Sequence, residues 1–229
     1  MTTRRLAIAI AFVVLVGSPA FAGPIYDAAV DFSLTNPNGV WSYGWSQTLG
    51  SELNLYSSHD SPDGMDRLYA GSVGIDPNVT HNGTGAPVLS YFSVLYPAGQ
   101  LSFHPGGNGQ YSDVRWTAPV AGFYTIDTSF SAPLGYGTTT DVHVLLNGTS
   151  IFDGGINVNG AGPSTSFLTT RWVPAGQAID FAVGIGNGSY GYDTTFLSAQ
   201  VSAVPEPASL LLLGTGLIGA LRAVRRKRG

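Results

Sequence analysis

Short runs in which hydrophobic and polar residues alternate make up most of the chain, and Gly, Pro, Asn and Asp separate them. Alternation with a period of two is typical of half-buried β-strands, whereas an amphipathic helix repeats every three to four residues. Between residues 23 and 204 no stretch of convincing length has the helical period. The second half is the clearer one, and it predicts strands at residues 114–117, 122–130, 141–146, 149–152, 166–173, 178–185 and 194–201.

The first half of the chain is less regular but shows the same alternation. It predicts strands at residues 30–35, 40–46, 53–56, 68–73 and 88–96, with residues 101–104 briefly extended. Asn147-Gly148 is a strong hairpin signal, because both turn positions tolerate positive φ. Strands about ten residues apart with turn residues between them indicate an all-β protein, an antiparallel β-sandwich of the jelly-roll kind. With neither an internal repeat nor a long linker, residues 23–203 are predicted to form one domain.

The composition favours a β-protein and argues against nucleic acid as a partner. Charged residues are 10% of the chain, and 31 Gly and 14 Pro favour turns. Between residues 23 and 204, three Arg stand against 13 acidic residues, a formal charge of −10. Such a surface repels phosphate backbones, so we expect no nucleic-acid partner. The chain has no cysteine, so the domain must be stable without disulfides.

The N-terminal 22 residues have the three parts of a signal peptide. Arg4 and Arg5 form the positively charged region, residues 6–16 are an unbroken apolar run, and Ala20-Phe21-Ala22 is a cleavage site. The alternative is an N-terminal membrane anchor, but eleven apolar residues are too short to span a bilayer. We therefore predict export by general secretion and removal of residues 1–22.

The C-terminal end also has three parts in a fixed order. Pro205-Glu206-Pro207 is followed by an apolar segment at residues 208–221 and a basic cluster at residues 222–228. The 14 apolar residues predict a hydrophobic helix of about 21 Å, which is short for a permanent membrane span. The basic cluster holds its end in the cytoplasm by the positive-inside rule. These features indicate a transient membrane anchor.

Residues 204–228 resemble the PEP-CTERM sorting signal of Gram-negative bacteria, with Pro205, Glu206 and Pro207 as its signature. We assign residues 204–229 to this signal: motif, short transmembrane helix and basic tail. The resemblance implies an exosortase-type or archaeosortase-like transpeptidase as partner. It also implies a transient tether to the inner membrane, followed by release or transfer to the cell surface or extracellular space, in organisms that make extracellular polysaccharide. An ordinary C-terminal membrane anchor is the alternative.

A second resemblance covers the middle of the chain. Residues 116–124 have the pattern W-x-A-P-x-x-G-x-Y before a predicted core strand. This segment is similar to one in jelly-roll carbohydrate-binding modules and in secreted bacterial modules that often carry the same sorting tag. The resemblance implies the fold rather than an activity.

The sequence contains none of the motifs that are typical of hydrolase active sites. Glycoside hydrolysis ordinarily needs two carboxylates, yet Glu52 is the only glutamate between residues 23 and 204. The chain has no G-x-S-x-G nucleophile motif, and its four histidines lack metal-ligand spacing. His143 lies beside Asp141 at a spacing that same-face pairing explains. We therefore expect a protein that is not an enzyme, with a glycan-active hydrolase using an Asp-based site as the alternative.

Exposed aromatic rings are the candidate ligand-binding residues, because sugars stack on flat apolar platforms. Tyr136, Tyr190 and Tyr192 lie in predicted Gly-rich loops. Trp41 belongs to an alternating run with Tyr43 and Trp45, so all three share one face of a strand. For Trp41, packing in the core is the competing interpretation.

Three aspartates in one loop make a candidate cation site. Asp60, Asp63 and Asp66 surround a glycine, and Ca²⁺ binds six to eight oxygen ligands. Their spacing differs from that of an EF-hand, and a polar turn on an acidic surface is the alternative. No other cofactor is indicated.

Together these features predict a secreted surface or extracellular-matrix protein sorted by an exosortase-type system. Its role would be to bind glycan or to act as a structural component of an exopolysaccharide or biofilm matrix. The sequence predicts where the protein goes in more detail than what it binds.

Overall fold

Sixteen β-strands and one single-turn 3₁₀ helix account for the regular structure of the part that the computed structural model describes, residues 23–71, 74–90 and 92–205. The helix is Pro62–Gly64. The strands, in chain order, are β1 (Ile25–Asp27), β2 (Trp41–Ser46), β3 (Asn54–Leu55), β4 (Ser58–Asp60), β5 (Asp66–Gly71), β6 (Gly74–His81), β7 (Val88–Leu89), β8 (Leu95–Tyr96), β9 (Leu101–His104), β10 (Tyr111–Thr117), β11 (Gly122–Ser131), β12 (Thr140–Leu146), β13 (Thr149–Ile156), β14 (Ser164–Val173), β15 (Ala178–Gly184) and β16 (Thr195–Ala203).

The strands form two antiparallel sheets that share one core. The first sheet has the order β14-β11-β16-β9-β6-β5-β4, and β1 also pairs with β16. The second sheet has the order β13-β12-β15-β10-β2-β3, while β7 and β8 form a separate hairpin. From β9 to β16 the chain repeatedly crosses from one sheet to the other, as in a jelly roll. The predicted all-β antiparallel sandwich is confirmed.

Alternation along each strand decides which residues form the core. In β11, Tyr124, Ile126 and Phe130 are buried, whereas Phe123 and Asp127 on the other face are exposed. The largest fully buried side chains come from both sheets and lie between them: Trp41, Trp116, Tyr43, Tyr124, Phe103, Phe130, Phe181, Leu68, Leu101 and Ile126.

Two predicted strands differ in the structure. Residues 30–35 form turns, because the Asp27 carboxylate accepts the backbone N–H groups of Ala29 and Val30 and bends the chain there. Residues 88–96 form the β7-β8 hairpin rather than one strand. The Ser93 backbone N–H donates to the Ser90 carbonyl (2.8 Å) and closes its turn.

Strand β6 was not predicted, because Pro77 lies in its middle and proline is disfavoured inside a sheet. Pairing with β9 begins only at Asn78, and pairing with β5 is irregular between Tyr69 and Gly71. Pro77 therefore occupies an irregular position in the ladder, where its missing N–H is tolerated.

The predicted signal peptide at residues 1–22 and the predicted hydrophobic helix at residues 208–221 lie outside the described residues. Within the described ranges, no helix is long and apolar enough to cross a membrane.

Trp41 provides a test of the core. Its side chain is 1% exposed, so Trp41→Ala should lower the free energy of unfolding by about 3–5 kcal/mol. Trp172→Ala is the matched control, because that side chain is half exposed and should cost under about 1 kcal/mol. Urea unfolding of both variants measures the difference. Equal losses would place Trp41 outside the essential core.

Candidate functional site

A cavity of about 620 Å³ lies on the outer face of the first sheet. Its floor is polar because strand alternation turns the other side chains inward: Val79, Leu101 and Phe103 are in the core. The intervening side chains of β6 and β9 face the cavity instead, and they are Asn78, Thr80, Ser102 and His104. The reverse side of core strands thus supplies hydrogen-bonding groups.

The cavity brings together the three tyrosines predicted from the loop sequences. Tyr136 belongs to the β11-β12 loop, and Tyr190 and Tyr192 belong to the β15-β16 loop; all three line the cavity. The rings of Tyr136 and Tyr192 meet edge to face at 5.3 Å between centroids. Tyr190 is 46% exposed and meets the His104 ring edge to face at 6.2 Å. The walls are therefore aromatic and the floor is polar.

A buried carboxylate holds the two tyrosine-bearing loops together. The Asp193 Oδ1 atom accepts the Thr139 backbone N–H at 3.0 Å. The Thr138 hydroxyl donates to the carbonyls of Tyr192 (3.2 Å) and Thr194 (2.8 Å). Tyr192 has φ of 71°, which is uncommon outside glycine and is maintained by these bonds. Burial raises the pKa of Asp193 to about 6, although the Thr139 hydrogen bonds oppose that shift.

A second apolar cluster supports the cavity from the side of the β7-β8 hairpin. Met65, Val94, Tyr96 and Phe196 are buried together, and Tyr136 packs against them. Asn82 is fully buried, and its amide group donates to three backbone carbonyls in the connection between β6 and β9. The hairpin is thereby attached to the sandwich.

The charges at the cavity favour a ligand without negative charge. Asp63, Asp76 and Arg67 line it, but Asp60 binds Arg67 through two hydrogen bonds, at 2.8 and 2.5 Å. Asp76 accepts a hydrogen bond from Asn78 at 2.7 Å and lies 3.6 Å from His104 Nδ1. The one lining arginine is therefore neutralised by a carboxylate.

Trp41 is placed away from the cavity. Its ring is buried between the sheets, and its indole N–H donates to the Asp31 carboxylate at 3.1 Å. Trp41 thus packs in the core and is out of reach of a surface ligand, because the inward face of β2 is covered by the first sheet.

The three aspartates of the candidate cation site do not converge. Asp60 is paired with Arg67, Asp66 accepts a hydrogen bond from Ser61 at 3.4 Å, and Asp63 faces the cavity. No group of three or more His, Asp or Glu side chains could hold a metal ion in the part of the chain that the structure describes. The alternative of a polar turn describes this loop.

A network of ionisable residues covers the outer face of the second sheet. The expected pair of His143 with Asp141 is present (2.8 Å), and Asp153 binds the other ring nitrogen (2.6 Å). Burial alone lowers the pKa of His143, but the hydrogen bonds to both carboxylates outweigh it and raise that pKa. Tyr111 donates a further hydrogen bond to Asp141 at 2.9 Å.

Asp113 belongs to the same face and was not singled out by the sequence. It is 4% exposed, and its Oδ2 atom has no hydrogen-bond partner. Burial raises its pKa to about 7. Nearby, Arg115 and Asp180 form an ion pair with bonds of 2.5 and 3.0 Å. A raised carboxyl pKa is typical of a general acid, but Asp113 is closed off from a substrate.

These shifts predict that stability falls as pH rises. The folded-state pKa of Asp113 lies above its ordinary value of 3.8, so the free energy of unfolding decreases between about pH 4 and 7. The raised pKa of His143 acts in the same direction, because its stabilising contribution is lost as pH rises through that value. Asp113→Asn should therefore stabilise the body more at pH 8 than at pH 5, by on the order of 2 kcal/mol.

Thermal unfolding of residues 23–204 at both pH values measures this difference. Asp127→Asn, at an exposed position of β11, is the control and should shift neither curve. An Asp113→Asn variant with the pH dependence of the parent would contradict the assignment.

Comparisons with known proteins match one end of the chain in sequence and the body only distantly in structure. No curated protein matches the chain in sequence. The solved structures similar to it include a family 35 carbohydrate binding module from Clostridium thermocellum, with 17% identity over 42% of this chain and 72% of that chain, TM-score 0.29. They also include the CBM51-2 and INT domains of Clostridium perfringens ZmpB in complex with GlcNAc, with 11% identity over 65% of this chain and 40% of that chain, TM-score 0.40. A third is pika GITRL, with 13% identity over 42% of this chain and 79% of that chain, TM-score 0.28. Similarities this distant carry no inference about function.

The C-terminal end gives a specific match. Residues 203–227 match the family model described as the PEP-CTERM protein-sorting motif. This confirms the prediction from Pro205, Glu206 and Pro207 and indicates an exported, secreted protein. The chain carries a PEP-CTERM protein-sorting motif at its C-terminal end.

Proposed function

We propose that this protein binds glycan in the cavity of the first sheet and acts at the cell surface or in an extracellular polysaccharide matrix. The pairing of an aromatic wall with a polar floor in one cavity supports this function most directly. Tyr136, Tyr190 and Tyr192 line the wall, and the outward-facing side chains of β6 and β9 form the floor.

The size of the cavity supports a small ligand or one end of a longer chain. Its volume of about 620 Å³ falls within the range of about 300–1,000 Å³ that is usual for small-ligand sites. Because exposed tyrosines form one side, the cavity is open to solvent there. A polysaccharide could therefore insert a terminal residue while the rest of the chain remains outside.

The chemistry of the lining matches a sugar ring. One face of a pyranose presents C–H groups that pack on Tyr190 and Tyr192, and its hydroxyl groups need donors and acceptors. Asn78 and Ser102 belong to the polar floor on neighbouring strands, where both are buried and hydrogen-bonded to Asp76 and to the Thr80 carbonyl. Asp76 adds a carboxylate, which binds vicinal hydroxyl groups well and repels anions. We therefore favour a neutral saccharide over a uronic acid or a sulfated one.

Removing the exposed rings tests the binding site. Tyr190→Ala and Tyr192→Ala should each weaken binding of a retained polysaccharide by roughly tenfold, because the stacking surface is lost. Residues 23–204 are screened against a polysaccharide panel by affinity electrophoresis, and the hit is quantified by calorimetry.

Phe123→Ala is the matched control, because Phe123 is an exposed aromatic residue of the same sheet outside the cavity. It should bind as the parent does. Equal loss in all three variants, or loss only in Phe123→Ala, would contradict the cavity as the site. Failure to retain any glycan, together with cell aggregation by the full protein, would favour a purely structural matrix role.

Hydrolysis is the second candidate, because two carboxylates, Asp63 and Asp76, line the same cavity. We expect retention of glycan without release of reducing ends. Release that a single Asp76→Asn substitution abolishes would overturn the binding-only function and assign the cavity to a glycan-active enzyme.

The sorting motif predicts processing by an exosortase-type partner and a transient tether to the inner membrane. Replacing Pro205, Glu206 and Pro207 with alanine should leave the C-terminal tail attached and the protein in the membrane fraction. Immunoblotting of cell fractions from the native host, with a tag before residue 204, measures both outcomes. Unchanged size and location of the variant would reject this partner.

A further inference from the structure

Exposed apolar side chains form a row across one end of the first sheet. Trp172 of β14 is directly opposite Phe123 of β11, and their rings meet edge to face at 5.2 Å. The Val204 backbone N–H donates to the Phe123 carbonyl at 2.8 Å, so Val204 continues the row after β16. Trp172 and Phe123 are 50% and 53% exposed, and Val204 is exposed as well. We call this surface, which consists of Trp172, Phe123 and Val204, the aromatic row after its two aromatic members.

Further exposed apolar side chains flank the aromatic row on the same face. Ile25 of β1 pairs with Ser202, and Leu168 of β14 pairs with Asp127. Both are large, apolar and exposed. A cluster of exposed apolar side chains on one face of a soluble domain indicates an interaction surface.

The aromatic row and the cavity lie at opposite ends of the same strands. β11 runs from Gly122, beside Phe123, to Ser131, which precedes the cavity residue Tyr136. β16 runs from Thr195, beside the cavity residue Thr194, to Ala203, beside Val204. The nine residues of β16 separate the two ends by about 30 Å.

Both ends of the described body leave the sandwich at the aromatic row. The Ala203 backbone N–H donates to the Pro24 carbonyl at 3.0 Å, so the start and the end of the body are side by side. The predicted signal peptide ends one residue before Gly23. The apolar segment predicted from residue 208 begins four residues after Val204, a reach of at most about 14 Å. A bilayer that holds this segment therefore lies within reach of the aromatic row.

We propose that the aromatic row is a membrane-contact surface, which inserts into the lipid headgroup region while the chain is tethered. Tryptophan and other amphipathic aromatic side chains favour the membrane interface. Contact at this end directs the cavity away from the bilayer, because the cavity lies at the other end of β11 and β16. This surface is independent of what the cavity binds.

The aromatic row is itself uncharged, which supports the apolar part of a lipid bilayer as its occupant. The described body has three arginines, and Arg67 and Arg115 are paired with Asp60 and Asp180. Among the described residues, Arg171 is the arginine without an ion-pair partner; it is exposed, and it pairs in register with the buried Tyr124. Because successive side chains of a strand point to opposite faces of the sheet, the Arg171 guanidinium does not belong to the face that carries Trp172 and Phe123.

Tryptophan fluorescence of the full-length chain in vesicles tests the contact. The vesicles consist of phosphatidylcholine with a minority of phosphatidylglycerol, and the phosphatidylcholine is brominated near the top of its acyl chains. The wild type should be quenched, because Trp172 lies at the interface. Trp172→Phe should lose most of that quenching and should fold normally, because the side chain is half exposed.

Trp45→Phe is the matched control, since it also removes one of the four tryptophans and leaves the aromatic row intact. It should retain the quenching. Absence of quenching in the wild type, or its persistence in Trp172→Phe, would overturn the proposal. Retention of an insoluble polysaccharide by the aromatic row, without quenching, would assign this surface to glycan instead. Because the vesicles contain no sugar, the outcome does not depend on the cavity.

Discussion

Burial of one face of each sheet against the other is the constraint on which this structure depends. The chain has no cysteine, so the apolar contacts between the sheets must supply the stability that disulfides give to many secreted domains. Trp116 shows how they do so: it is fully buried in the second sheet and contacts Tyr124 of the first sheet at 4.8 Å between ring centroids. Because alternate residues are committed to this core, the outward residues of the same strands are available for other tasks.

The outward face of the first sheet is polar at one end and aromatic at the other. On the first sheet, β6 and β9 present polar side chains to the cavity, whereas the far ends of β11 and β14 present Phe123 and Trp172. A jelly roll runs its central strands from one end of the molecule to the other, so these two surfaces are held about 30 Å apart by rigid β-structure. If one end meets the membrane during sorting, the other is presented to the surroundings of the cell.

The sequence predicted the strands in which hydrophobic and polar residues alternate regularly. It did not predict strands in which a residue such as proline interrupts that pattern. Most of the second half was predicted correctly, including the Asn147-Gly148 turn, whose residues both have positive φ. Strand β6 was not predicted, because Pro77 lies within it and proline is disfavoured inside a sheet. The three loop tyrosines line one cavity, and their exposure could be predicted because Gly-rich loops leave aromatic rings at the surface; their role in ligand binding stays a prediction. The floor residues Asn78 and Ser102 could not be identified, since only the pairing of β6 with β9 brings them together. Asp113 was missed for a similar reason: its burial results from tertiary packing, which a polar residue in a strand does not reveal.

Mapping a bound saccharide on the body shows whether it occupies the cavity or another surface of the two sheets. Backbone amide chemical shifts of residues 23–204 are recorded with and without a saturating oligosaccharide from the retained polysaccharide. If the cavity binds the saccharide, the shifts of residues 78–80, 101–104, 136 and 190–194 change, and those of residues 122–125 and 170–173 do not. Shift changes confined to the Trp172 end of the first sheet, or spread over the second sheet, would contradict binding in the cavity.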